Sequence, residues 1–291
     1  MQFLSSIPLV VTSALVIFSP LQEGGTTHVA QMIIRFLILA WAGGALALSI
    51  RQGRLTIPLL SVRYFVLVFL GFAVIATMFS PYAHPSRQWL FTIICYATLF
   101  YLLVSFVDRW EHVHTLTIVV VLMGVGEAAL TILQGLVWND MRPSGTFFNP
   151  NFLAGYLAVS WAILLSAAVY GYRRTAALHW LPISPTLWWC GVGASLGSLF
   201  LAVLLTQSRG GMIVVLVATV FIVMARYGWK VAGSCLVLLM VGGLLIPTPL
   251  RERVQAEHQQ NPVSYARLQM WQGALTQMAE HPLGIGLGLY Q

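Results

Sequence analysis

The chain has 291 residues, of which 58% are hydrophobic and only 8% charged (15 Lys+Arg, 8 Asp+Glu), against roughly 25% charged in an ordinary soluble domain. With a mean hydropathy of +0.83, that composition excludes a soluble globular protein, a disordered chain, a collagen-like repeat and a disulfide scaffold, since there are only three cysteines. The net charge of +7 lies mostly between apolar runs, which is the pattern that sets membrane topology and implies no nucleic-acid partner.

A helix crosses a bilayer with about 20 apolar residues, and nine stretches answer to that: 4–20, 28–50, 62–80, 89–107, 113–138, 151–172, 186–206, 210–226 and 228–247. The expected fold class is therefore all-α, a polytopic transmembrane bundle of about nine spans. The first stretch, between Pro8 and Pro20, has no Lys or Arg ahead of it and no small-x-small cleavage site after it, so it reads as a span and not as a signal peptide. Residues 1–247 make up the transmembrane domain. Residues 248–291 are the one long polar stretch and read as the start of a large periplasmic loop. Within it Leu268, Trp271, Leu275 and Met278 recur at helical spacing, which predicts an amphipathic helix on the outer membrane surface.

Inside the spans, Cys95, Cys190 and Cys235 show no metal-ligand spacing and read as small core residues. Gly193 and Gly197, four apart, and the Gly43-Gly44 pair suit close helix approach. Two ionisable residues fall within the membrane. Arg35 lies in the second stretch and Glu127 in the fifth, and a charge facing lipid costs at least ~2.5 kcal/mol at mid-bilayer, so both are functional candidates. For Arg35 the plain alternative is snorkelling to the interface, and for Glu127 a neutral acid hydrogen-bonded between helices. Their depths from the outer helix ends, ~11 Å and ~16 Å at 1.5 Å per residue, also allow the two to pair.

Orientation follows from the loops. One alternate set carries Arg51, Arg54, Arg63, Arg109, Arg173, Arg174, Arg226 and Lys230, the other only Arg87, Arg142 and Arg209. Positive residues stay on the cytoplasmic side. This places the N-terminus in the cytoplasm and residue 291 outside, in the periplasm or its equivalent. Helices four, six and eight then point their N-termini outward, each with an arginine beside it: Arg87, Arg142 in the stretch 142–151, and Arg209 in Ser208-Arg209-Gly210-Gly211. Helix N-termini with arginine make an anion site. Asn149 is placed to cap helix six with Pro150 in its first position, and Gly210 lets a ligand approach the backbone. The plainer use of such loop arginines is contact with lipid headgroups, which suits Arg87 best.

Three blocks carry a family resemblance: Gly145-Thr146-Phe147-Phe148-Asn149-Pro150-Asn151-Phe152-Leu153-Ala154-Gly155-Tyr156, then Gln207-Ser208-Arg209-Gly210-Gly211, and then Arg267 with Trp271 and 281–288, His-Pro-Leu-Gly-Ile-Gly-Leu-Gly. Over roughly its second half the chain resembles the O-antigen ligase and polymerase superfamily of membrane glycan transferases. The resemblance implies an enzyme that takes a glycan from an undecaprenyl-diphosphate carrier at the periplasmic face and moves it to an acceptor hydroxyl, on lipid A core or a similar lipid or glycan, in lipopolysaccharide biosynthesis. It implies no metal, nucleotide or other cofactor, with membrane lipids as the surroundings. Arg142 and Arg209 match arginines that look like the family's diphosphate contacts.

Similar proteins continue past the Gly-x-Gly-x-Gly stretch through a periplasmic loop with a His-Asn-x-x-Leu-like segment and further helices. This chain has no His-Asn dipeptide before Gln291. The expectation is of a chain truncated at its C-terminus relative to the family and lacking the histidine offered as general base. His258 and His281 in the tail are the remaining weak candidates, although a histidine in an exposed loop is usually only solvated. His112 and His114 belong to a charged turn. A runner-up reading from another class is a transporter or anion-binding membrane protein, since some relatives are assigned as bicarbonate carriers. It would need a site open to both faces through mid-membrane helix breaks, for which Glu127 and its neighbouring glycines are the only sign.

Overall fold

The computed structural model describes residues 2–51, 53, 62–107, 109–171, 184–244, 263–281 and 284–288. Among the described residues there are ten helices and no strand: α1 (Gln2–Leu21), α2 (His28–Arg51), α3 (Arg63–Met78), α4 (Ala83–Phe106), α5 (Trp110–Leu136), α6 (Pro150–Gly171), α7 (Pro185–Leu205), α8 (Arg209–Tyr227), α9 (Trp229–Leu244) and α10 (Val263–Glu280). Six of these, α2 and α4 to α8, are long and apolar enough to cross a membrane. Their apolar lengths of 19 to 27 residues correspond to about 28–40 Å at 1.5 Å per residue. Three apolar helices are shorter, at Pro8–Leu21, Arg63–Met78 and Trp229–Val241. All nine expected stretches thus appear as helices. Large apolar side chains such as Phe36, Phe65, Phe72, Val217 and Phe221 point outward. In water such a surface would aggregate, and it marks a multi-pass membrane protein.

The chain divides into two compact units, one of Met1–Val11, Met32–Asp108 and Glu257–Gln291, the other of Thr12–Gln31 and Arg109–Ala256. In the second unit α6 is the central helix, with 44% of its apolar stretch buried against 22% or less for the other full-length helices. Leu153, Leu157, Trp161, Leu164 and Ala168 succeed one another at three- and four-residue intervals and form one buried face. They pack against Ala128 of α5, Leu199, Ala202 and Val203 of α7, and Val215 of α8. Trp161 donates its indole N–H to Thr219 Oγ1 at 2.9 Å, so the ring is buried with its one polar atom satisfied.

The helices come together closely at positions other than the glycines picked from spacing. Among the described residues nothing lies within 4 Å of a Cβ built on Gly43, Gly44, Gly193 or Gly197. The close approaches are instead at Gly124, where a Cβ would strike the Ser160 side chain, and at Gly211, where it would lie 2.6 Å from Ala154 Cβ. The four-residue glycine spacing on α7 therefore lies on exposed surface, while single glycines opposite small residues mark the packed seams. The cysteines divide likewise: Cys95 is buried, Cys235 is half-buried and Cys190 is exposed on α7.

In the first unit α3 packs against α4. The fourth helix begins at Ala83 and not at 89, because Pro85 falls in its first turn, where a missing N–H costs no hydrogen bond. Arg87 is accordingly in the second turn of α4 and not ahead of it. Trp41 of α2 lies 6.0 Å from the Phe106 ring at the far end of α4.

The glycine-rich segment after α10 folds onto the α3–α4 turn within this unit. Ser80 Oγ donates to the Ile285 carbonyl at 3.1 Å and accepts from Ser86 Oγ at 2.8 Å. Gly284, Gly286 and Gly288 all have positive φ, and a Cβ on Gly286 or Gly288 would collide with Ser80 and Ser86 or with the Trp89 indole. These glycines serve a close backbone approach. The expected tail helix is α10, and Leu268, Trp271, Leu275 and Met278 are exposed on it, as are most of the polar residues between them.

Candidate functional site

The α5–α6 connection, residues 137–149, carries Arg142 and is shaped from both ends. Asp140 Oδ1 accepts the Arg142 N–H at 3.1 Å, a local turn bond. Asn149 Oδ1 accepts from the Asn151 N–H at 2.8 Å, with Pro150 the first residue of α6, so the expected cap is present. Between them the loop runs in against α5. Its backbone polar groups must find partners wherever water is excluded, and α5 supplies them from Glu127 and Gln134.

Gln134 and Glu127 are seven residues apart, two turns along one helix face. Gln134 Nε2 donates to the Gly145 carbonyl at 2.9 Å, and its Oε1 accepts the Gly145 N–H at 2.7 Å, a two-pronged clamp. Glu127 is buried, 3% exposed, and its Oε2 accepts the Thr146 N–H at 3.1 Å. The Thr146 hydroxyl lies 2.6 Å both from Glu127 Oε1 and from the Pro20 carbonyl at the end of α1. Gly145 is required twice over, by its φ of +61 and because a Cβ there would sit 2.5 Å from Glu127 Oε2. Phe147 then stacks toward Tyr156 at 5.5 Å and covers Gly24, whose φ is +70.

The α7–α8 connection is only three residues long. Gln207 takes a φ of +55 to turn the chain, and its amide donates to the Met141 carbonyl at 2.9 Å. Ser208 caps α8, accepting the Gly211 N–H at 3.3 Å. Helices α6 and α8 are parallel: Ala154 meets Gly211 near their starts, Trp161 meets Thr219 further on, and Tyr170 meets Arg226 near their ends. Two helix N-termini therefore stand side by side, and their dipoles add a positive field at one place.

Arg142 bridges the two. Its Nε donates to the Thr206 carbonyl at 3.2 Å and its Nη2 to Asn151 Oδ1 at 3.1 Å, which ties the loop to the α8 turn and to the first turn of α6. Arg209 is the first residue of α8 and is exposed, as is Gly210 beside it, whereas Gly211 is buried against α6. The structure thus brings Arg142, Asn149, Arg209 and Gly210 to one end of the second unit. The arrangement can hold an anion with two guanidinium groups and two helix ends.

The remaining candidates belong to the first unit or lie outside the described residues. Arg87 is exposed on α4. Arg35 is half-buried; its Nη2 donates to Thr92 Oγ1 at 2.6 Å and its guanidinium lies 5.8 Å from the Phe91 ring, so it turns toward α4. His281 is exposed directly after α10, and His258 lies outside the described residues. Sequence reasoning missed Gln134, Asn151 and Thr206 as parts of the site. An amide two turns from an intramembrane carboxylate was the available signal for Gln134, and a backbone carbonyl leaves none.

Residues 194–291, from within α7 through α10, match the family model described as O-Antigen ligase. No curated protein and no solved structure matches the chain. The match includes Arg209 and the glycine strap after α10, two of the three blocks on which the resemblance rests. Over residues 194–291, this helical membrane protein is similar to the O-antigen ligase family.

Proposed function

We propose that the protein moves a glycan from an undecaprenyl-diphosphate carrier to an acceptor hydroxyl at the periplasmic face of the bacterial inner membrane, with Arg142 and Arg209 holding the diphosphate. The observation that carries this reading is the pairing of two parallel helix N-termini, α6 and α8, with Arg142 bonded across them and Arg209 at the start of the second. When the acceptor oxygen attacks the sugar's anomeric carbon, the bond from that carbon to the phosphate oxygen breaks and the departing diphosphate gains negative charge. Fixed positive groups oppose that charge with no reorganisation during the step. Asn149 and Gly210 contribute by setting the helix starts and leaving the backbone open. In the transporter alternative Glu127 would line the pathway, whereas here its carboxylate accepts from the Thr146 N–H and hydroxyl.

The test is binding of undecaprenyl diphosphate and undecaprenyl monophosphate to purified wild type, Arg142→Ala, Arg209→Ala and Arg209→Lys. Each alanine variant is expected to weaken diphosphate binding by roughly tenfold or more, with the lysine intermediate because it keeps charge and loses the fork. If both alanine proteins keep wild-type affinity and preference for the diphosphate, the anion site is elsewhere.

A further inference from the structure

Glu127 and Gln134 touch no candidate ligand group, yet they hold the backbone three and four residues beyond Arg142. We infer that these two α5 side chains are positioning residues that set where the Arg142 guanidinium stands, and through it the preference of the site for a diphosphate over a monophosphate. The inference rests on the diphosphate reading above and assigns a further part of the machinery to α5.

The argument is one of limited slack. Three residues of chain reach at most ~11 Å when fully extended, and Pro143 within that stretch is buried and fixed in φ. The Cγ of Pro143 is also 3.4 Å from where a Cβ on Gly135 would sit, so the loop leans directly on α5. With Gly145 fixed by Gln134 and Pro143 buried, the range of places open to Arg142 is narrowed. Two of its guanidinium hydrogen bonds, at 3.2 and 3.1 Å, are already near the long end of the range, so a shift of the loop by about 1 Å breaks them.

A monophosphate needs one good cationic partner. A diphosphate fills two, and its advantage depends on the two guanidinium groups being held at a set separation. Loosening the loop therefore removes the advantage of the second phosphate and leaves single-phosphate binding at Arg209 largely intact. A general loss of structure would lower both affinities together. That difference separates positioning from mere support.

The experiment uses the full chain and compares wild type with Gln134→Met, which keeps the volume and loses the clamp, and with Thr146→Val and Thr146→Ser, which remove and restore the hydroxyl facing Glu127. Arg142→Ala is the reference. Gln134→Met and Thr146→Val are expected to lose diphosphate affinity by about tenfold, to change monophosphate affinity by less than about twofold, and Thr146→Ser to recover the preference. If Arg142→Ala loses the preference while Gln134→Met and Thr146→Val keep it, the inference falls and the diphosphate reading stands. An equal loss for both ligands likewise overturns it in favour of a purely structural role. If Arg142→Ala itself keeps the preference, the underlying reading has failed.

Discussion

At the scale of single residues, the carboxylate of Glu127 and the absent side chain of Gly145 are two halves of one requirement. A backbone brought against a membrane helix needs acceptors and donors for its polar groups and no Cβ in the way. Gly145→Ala places a methyl 2.5 Å from Glu127 Oε2 on a residue with φ +61. It is expected to cost about 1–3 kcal/mol or more, seen as a lower thermal midpoint of the purified protein in detergent. An unchanged midpoint would mean that the loop does not lie against Glu127. The sequence made Glu127 conspicuous because an acid among Val, Gly and Ala is expensive, but it could not name the partner. Gln134 passed unnoticed for the same reason in reverse: a neutral amide near a helix end costs little, so its one mark is its place two turns from Glu127 on the same helix face. Arg142 and Arg209 were legible because helix-start chemistry surrounds them.

At the scale of elements, the caps and most boundaries followed from local rules. Asn149-Pro150 starts α6 as expected, while Ser208 caps α8 so that the helix begins at Arg209, one residue before the expected start. The start of α4 did not, since Pro85 reads as a stop when its place in the first turn is unknown. The strap after α10 was the least legible, because a Gly-x-Gly-x-Gly run specifies a close approach without saying to what. Its docking makes a checkable claim. Ser86 is fully buried beneath Gly286, so in a background without the native cysteines Ser86→Cys should react slowly with a soluble thiol reagent while Gln88→Cys, at an exposed position, reacts fast. Adding Gly286→Val should speed labelling at position 86 by about tenfold, as local opening replaces a buried state. Equal rates at 86 and 88 with the strap intact would show that it does not dock.

At the scale of the whole molecule, composition alone settled the class, because no soluble fold tolerates so little charge on so much surface. The division of the chain into two units could not be read, since which helices pack together depends on long-range contacts and not on the hydropathy of each. Nor does hydropathy tell a full span from the shorter α3 and α9. The account's central claim is that the end of the molecule bearing Arg142 and Arg209 faces the periplasm, where a lipid-linked glycan is used, and it rests on the loop asymmetry of eight positive residues against three. The direct measurement is labelling by an impermeant thiol reagent in spheroplasts, in the same cysteine-free background. Met141→Cys, exposed beside Arg142, and Gln272→Cys on α10 are predicted to label in intact spheroplasts, and Lys230→Cys only after permeabilisation. Labelling of Lys230→Cys in intact cells, with Met141→Cys protected until the membrane is opened, would contradict the orientation and the proposed reaction with it.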